Sequence, residues 1–194
     1  MMAAALVSDN VTENQAAFRA LMDAMARPGE IRELASIDAP APLAAATAAI
    51  IRSLADYETP VWLDSALAQP AVTDWIRFQT GAAVVTDSGQ AAFALVGNSA
   101  DLPDFAAFSP GSEDYPDRSA TLIVQVERFS GRVFSLAGPG IRTEWTLAAE
   151  PLPEDFAGRW SANQALFPRG IDLLLVAGDH VAALPRTVRV ARKG

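Results

Sequence analysis

Apolar residues recur at the three- and four-residue spacing of amphipathic helices in four stretches of the chain. The first stretch begins at Thr12, which has capping-box spacing with Gln15, and ends at the Arg-Pro-Gly sequence of residues 27–29. The second and the fourth begin at Pro42 and Pro153, because proline suits the first turn of a helix. The pattern therefore predicts four helices, with apolar positions Phe18, Leu21, Met22 and Met25; Leu43, Ala46, Ile50, Ile51 and Leu54; Val72, Trp75 and Ile76; and Phe156, Trp160 and Phe167.

Short apolar runs bounded by turn residues alternate with these helices and predict strands. The predicted strands are residues 30–34, 61–63, 82–85, 91–96, 121–126, 133–136, 143–147, 171–176 and 181–184. Ser130-Gly131 and Gly178-Asp179 each fall between two such runs, and both predict tight antiparallel hairpins. Because a purely parallel sheet contains no tight hairpin, we expect an α/β fold with a mixed β-sheet flanked by helices, an α/β/α sandwich.

The length of the chain predicts one domain. The 194 residues are 51% hydrophobic, enough for one sizeable core, so we expect a single domain over residues 1–194 with its core at about 14–190. Residues 101–117 hold five acidic side chains, no basic side chain and three prolines. This segment is expected to be an exposed connection with at most a helical turn.

Composition excludes several functions. The net charge of −8 would repel nucleic acid, and the absence of cysteine excludes disulfides and iron–sulfur ligation within this chain. The N-terminal run lacks the basic residues of a signal peptide, and no apolar run reaches the roughly 20 residues of a membrane span, so we expect a cytoplasmic protein. Lys193 is the sole lysine and His180 the sole histidine, which argues against pyridoxal catalysis and a multi-histidine metal site.

Four charged residues occupy apolar or strand-terminal settings: Asp56, Arg77, Asp172 and Arg186. An unpaired buried charge is costly, so these residues are expected either to pair internally or to form a ligand site. The predicted hairpin at Gly178-Asp179 would bring Asp172 beside Arg186, which makes that ion pair the simplest solution.

The Gly138-Pro139-Gly140 sequence predicts a turn. An alternative interpretation is a backbone nest for a phosphate oxygen, with Arg142 close enough to add charge. His180 lies beside a predicted hairpin turn, and its catalytic alternative is a general base in a free-standing hydrolase.

Four segments together resemble one known family. They are residues 18–29 (FRALMDAMARPG), 54–63 (LADYETPVWL), 167–172 (FPRGID) and 184–187 (LPRT). In this order and at these separations they resemble the H subunit of the bacterial carbon–phosphorus lyase system, from about Phe18 to Thr187. The resemblance implies a fold similar to the large domain of pyridoxal-phosphate-dependent transferases without the cofactor site. It further implies a chain without a resident cofactor or metal that forms a homodimer in isolation.

The resemblance also implies a non-catalytic role in a core assembly with the G, I and J subunits. With the G, I and L subunits this system forms α-D-ribose 1-methylphosphonate 5-triphosphate from ATP and methylphosphonate, in organic phosphonate catabolism. The radical step requires cysteine ligands, so the cysteine-free chain leaves that step to another subunit. The alternative is a subunit that binds a phosphonate or a nucleotide phosphate through Arg77, Arg186 and the turn at Gly138 and Gly140.

Overall fold

The computed structural model describes residues 2–193, which form four helices and ten strands. The helices are α1 (Met2–Ala26), α2 (Ala45–Leu54), α3 (Pro70–Thr80) and α4 (Phe156–Gln164). The strands are β1 (Arg32–Glu33), β2 (Val61–Leu63), β3 (Val84–Val85), β4 (Phe93–Val96), β5 (Thr121–Gln125), β6 (Arg128–Ala137), β7 (Trp145–Glu150), β8 (Asp172–Ala177), β9 (His180–Leu184) and β10 (Arg189–Arg192).

Seven strands form the main sheet in the order β1-β9-β8-β5-β4-β2-β3. Strands β3, β2, β4, β5 and β8 are mutually parallel, whereas β9 runs antiparallel to β8, and β1 antiparallel to β9. The hairpin predicted at Gly178-Asp179 is therefore confirmed, as is the mixed sheet with helices.

The hairpin predicted at Ser130-Gly131 is wrong. Strand β5 pairs only within the main sheet, and β6 passes through Ser130-Gly131 into a separate antiparallel sheet of order β10-β6-β7. Gly131 lies at a register shift with φ +83°, and a β-carbon there would lie 1.7 Å from Glu150 Oε2. The glycine thus marks an irregularity within a strand, where only hydrogen fits against Glu150, and not a turn between two strands.

Alternate residues of the main sheet enter two separate cores. In β8, Leu174 and Val176 belong to the core under α1, α2 and α3, whereas Leu173 and Leu175 belong to the core on the other face. The second face is covered by α4 together with the three-stranded sheet, with Phe134, Leu136 and Trp160 buried between them. The predicted α/β/α sandwich is thus corrected on this face, which a three-stranded sheet covers together with α4.

The starts of α1 and α2 differ from their prediction. Helix α1 begins at Met2, so the capping box predicted at Thr12 lies inside the helix. Helix α2 begins at Ala45 because residues 40–43 form a turn in which the N–H of Leu43 donates to Pro40 O at 2.9 Å. The side chain of Gln125 binds this turn instead, accepting from Ala44 N at 2.7 Å and donating to Pro42 O at 3.1 Å.

The fourth helix is shorter than predicted. It begins at Phe156, three residues after Pro153, and ends at Gln164 before reaching Phe167. The helical spacing placed Phe167 on the apolar face of this helix, but its side chain is 59% exposed.

Residues 101–117 are only partly the exposed connection expected from their acidity. The short 3-10 turns Ser99–Asp101, Phe105–Ala107 and Pro116–Arg118 organise this region. Phe105 and Phe108 are buried in the second core, because their rings pack edge-on against Trp160 and Trp62. Among residues 2–193, no helix combines the length and the hydrophobicity that crossing a membrane requires.

Thr47 on α2 is fully buried, and its Oγ1 has no hydrogen-bond partner among the described residues. Burying an unpaired hydroxyl is costly, and valine has nearly the same shape without it. We expect Thr47→Val to raise the free energy of unfolding by about 1 kcal/mol in urea titrations. Thr47→Ser, which keeps the hydroxyl and loses the methyl group, should lower it. A valine variant less stable than the wild type would show that the hydroxyl is satisfied after all.

Candidate functional site

Asp172, the first residue of β8, pairs with Arg186, which follows β9. The backbone N–H and the Nε of Arg186 donate to Asp172 Oδ1 at 2.8 and 3.2 Å, and Nη2 pairs with Oδ2. Each side chain is 14% exposed. The hairpin between β8 and β9 brings the two residues together, so the pairing expected from the sequence is confirmed.

Two further hydrogen bonds of Arg186 are made within this chain. Nη1 donates to Pro116 O at 2.7 Å, and Nη2 also donates to Ser119 Oγ at 2.6 Å. The pair lies at the amino end of β8, whereas ligands of open α/β sheets bind outside the carboxyl ends of the strands. The geometry is that of an internal anchor that fixes the 116–119 segment to the main sheet.

Asp56 and Arg77 lie on the surface. The carboxylate of Asp56 closes a turn, accepting from Glu58 N at 2.9 Å and from Thr59 Oγ1 at 3.2 Å. Arg77 is exposed on α3 and forms no ion pair with any side chain of residues 12–193. Asp56 is therefore a turn residue, and Arg77 is an exposed surface cation.

The two glycines of the Gly138-Pro139-Gly140 turn pack closely against other parts of the chain. A β-carbon at Gly140, whose φ is +81°, would lie 2.3 Å from the carbonyl oxygen of Ala26 at the end of α1. A β-carbon at Gly138 would lie 3.1 Å from Thr187 O. Packing of the turn accounts for both glycines, and the neighbouring Arg142 is exposed.

The structure does not bring the predicted phosphate-binding residues together. Arg77 lies on α3, which precedes β3 at one edge of the main sheet, whereas Arg186 follows β9 near the other edge. Five strand spacings separate β3 from β9, or roughly 24 Å. Gly138 is close to Thr187 and hence near Arg186, but that guanidinium is already bound to Asp172, Pro116 and Ser119.

Asp64 is a buried carboxylate that the sequence analysis did not identify. It follows β2 at the carboxyl edge of the main sheet and is 9% exposed. Its Oδ1 accepts from Leu67 N at 3.0 Å, and its Oδ2 accepts from Gly97 N at 2.8 Å and Asn98 N at 2.9 Å. Asp64 thus connects the loops that follow β2 and β4, the edge at which α/β proteins place ligands. Its position directly after a short apolar strand was the available signal.

His180 lies at the start of β9 with its side chain 47% exposed. Its Nδ1 is 2.6 Å from Oδ1 of Asp179 in the preceding turn. Within residues 2–193 no group of three or more histidine, aspartate or glutamate side chains is arranged to hold a metal ion.

Surface ion pairs account for the carboxyl groups whose pKa is shifted. A hydrogen bond from Arg32 lowers the pKa of Asp23, and the neighbouring charge of Arg27 acts in the same direction. The same contact, with help from Glu30, raises the pKa of Arg32. These groups join the end of α1 to β1, so their role is to hold those two elements together. A hydrogen bond from Arg159 on α4 lowers the pKa of Asp155, the residue that precedes this helix.

The fold and the site define an α/β protein whose buried charged groups bind its own backbone and side chains. Residues 5–191 match the family described as bacterial phosphonate metabolism protein (PhnH). The chain belongs to this family.

Two relatives agree with this assignment. The chain is 44% identical over 188 residues to the alpha-D-ribose 1-methylphosphonate 5-triphosphate synthase subunit PhnH of Rhizobium meliloti (strain 1021), covering 96% of this chain and 94% of the relative. It is 40% identical over 85 residues to the putative C-P lyase subunit protein HtxG of Stutzerimonas stutzeri, covering 43% and 44%. The family resemblance expected from the four sequence segments is confirmed.

Proposed function

We propose that the chain is a non-catalytic subunit of the carbon–phosphorus lyase core assembly, which acts in the cytoplasm in organic phosphonate catabolism. With its partner subunits it would support formation of α-D-ribose 1-methylphosphonate 5-triphosphate from ATP and methylphosphonate. The observation that carries this proposal is the 44% identity to a subunit of that synthase over nearly the full length of both chains. The proposed partners are the G, I and J subunits, with the L subunit required for the reaction.

The arrangement of the charged side chains supports a non-catalytic role. Asp172 and Arg186 bind each other, Arg186 also binds Pro116 and Ser119, and Asp64 accepts three backbone N–H groups. Lys193, the sole lysine, follows β10, and its side chain is 53% exposed and 3.7 Å from Glu144. A Schiff-base lysine requires a desolvated site, so Lys193 is unsuited to hold pyridoxal phosphate. We propose that the fold is related to the large domain of pyridoxal-phosphate-dependent transferases but without the cofactor site.

Co-expression tests this function directly. We expect the untagged chain to co-purify with an affinity-tagged G subunit when the I and J subunits are present, in a fixed ratio measured by native mass spectrometry. The same purification from cells without the tagged subunit is the control for adsorption to the resin. Absence of the chain from the purified G, I and J subunits would overturn the proposal. In isolation, the chain should run in light-scattering chromatography at twice its 20.5 kDa mass, as a homodimer.

A further inference from the structure

An open groove of about 490 Å³ lies between α4 and the segment that contains the Phe105–Ala107 turn. Its apolar walls are formed by Phe105 and Phe108 on one side and by Ala162 and Leu166 on the other. Leu166 is 39% exposed, and Phe167, the next residue, is 59% exposed. Large apolar side chains that remain exposed beside a groove are typical of a surface that binds a partner.

Hydrogen bonds hold the two walls of the groove in place. Arg159 Nη1 donates to Leu102 O at 2.8 Å, and Gly170 N donates to Pro110 O at 2.8 Å, so the 102–110 segment is attached to the α4 region at two points. The Asn163 amide is fixed by Ile171, accepting from its N–H at 2.8 Å and donating to its carbonyl at 3.0 Å. The groove is therefore formed before any partner binds, which lowers the entropy cost of binding.

The wall that contains Phe105 is acidic. Asp104 lines the groove, and its segment also carries Asp101, Glu113, Asp114 and Asp117. None of these five carboxylates forms an ion pair with a residue in the described part of the chain.

Cations near the groove offset only part of this charge. Arg159, which also lines the groove, is paired with Asp155 at 2.9 Å. Arg118 lies over the ring of Tyr115 at 4.2 Å, and Arg169 precedes Gly170 at one end of the groove. The five carboxylates outnumber these two unpaired arginines, so the field around the groove is negative.

We infer that this groove binds an amphipathic segment of a partner protein, with apolar side chains seated in the groove against Phe108, Ala162 and Leu166 and with Lys or Arg residues flanking them. The apolar walls favour helix-in-groove packing, and the acidic wall favours a basic partner and accelerates its association. The same charge disfavours phosphonates and nucleotides, which are anionic. This inference rests on the proposed function, because the partner would be a subunit of the same assembly.

The test compares a substitution on α4 with one at the residue that follows it, in the co-expression experiment with the tagged G subunit and the I and J subunits. Ala162 is exposed and lines the groove, whereas Ala165 is exposed and does not line it. Ala162→Arg fills the groove with a charged side chain and should reduce co-purification at least about tenfold, whereas Ala165→Arg should co-purify like the wild type. Circular dichroism melting of each isolated variant establishes that it is folded.

A double substitution tests the contribution of the acidic segment to binding. Glu113→Lys combined with Asp114→Lys should weaken binding at low salt and reduce its salt dependence, because both carboxylates are exposed and act through the field alone. Undiminished binding by a folded Ala162→Arg variant would overturn the groove inference and leave the proposed function standing. Failure of the wild type to bind would overturn the proposed function, and the inference with it.

Discussion

Replacing Asp172 with alanine is expected to lower the free energy of unfolding by about 3 to 5 kcal/mol. The substitution leaves the guanidinium of Arg186 in a site where it is only 14% exposed and where its backbone N–H also loses its acceptor. The net stability of a domain is only about 5 to 15 kcal/mol, so this loss is a large fraction of the total. Urea unfolding followed by tryptophan fluorescence measures it.

A double substitution separates the ion pair from the rest of the site. Asp172→Ala with Arg186→Met removes both charges, so the double variant should be more stable than the sum of the two single losses predicts. Glu154→Ala is the control, because Glu154 is 86% exposed in its pair with Arg132 and should cost under about 1 kcal/mol. Strictly additive losses at residues 172 and 186 would show that the two side chains do not interact energetically.

Replacing Asp64 with alanine is expected to lower the free energy of unfolding by about 3 kcal/mol or more. The N–H groups of Gly97 and Asn98 would lose their acceptor, whereas the N–H of Leu67 keeps the backbone carbonyl of residue 64 at 3.1 Å. A hydrogen bond to a charged group contributes about 1.5 to 3 kcal/mol, so two such losses account for the expected effect. The loops after β2 and β4 should then exchange their amide hydrogens faster, which hydrogen-exchange mass spectrometry would detect.

Asparagine at position 64 provides the matched comparison. Its single carbonyl oxygen can replace one carboxylate oxygen, but its NH₂ group would face a backbone donor in place of the other. We expect a loss roughly half that of the alanine variant. An alanine variant as stable as the wild type would mean that water replaces the carboxylate at this edge of the sheet.

The sequence predicted best the elements whose contacts are close along the chain. The hairpin of β8 and β9 and the pair of Asp172 with Arg186 were both predictable, since a tight turn fixes which residues become neighbours. Asp64 was not, because its acceptor role depends on Gly97 and Asn98, which lie 33 and 34 residues further along. The pattern of apolar residues in a strand does not specify which other strand it will pair with.

The same limit explains the error at β5 and β6. Residues 121–126 and 133–136 have the spacing of a hairpin, but the N–H of Val126 donates to Val176 O and keeps the first strand in the main sheet. The prediction for residues 101–117 was only partly right for a related reason. The acidic side chains and prolines indicated exposure. Phe105 and Phe108 are nevertheless buried, because they pack against Trp160 and Trp62, which are distant in the sequence. The groove depends on this packing, so the sequence did not predict it.

The position of β10 in the small sheet affects how the chain folds during its synthesis on the ribosome. Strands β6 and β7 can pair once residue 150 has emerged, but β6 acquires its second neighbour only when Arg189–Arg192 follow. Until then Trp160 also lacks the Val188 carbonyl that accepts its indole N–H at 2.7 Å. An open strand edge beside an unfinished core is prone to aggregation. Nascent chains that stall before residue 188 should therefore depend on chaperones, and completed chains should not.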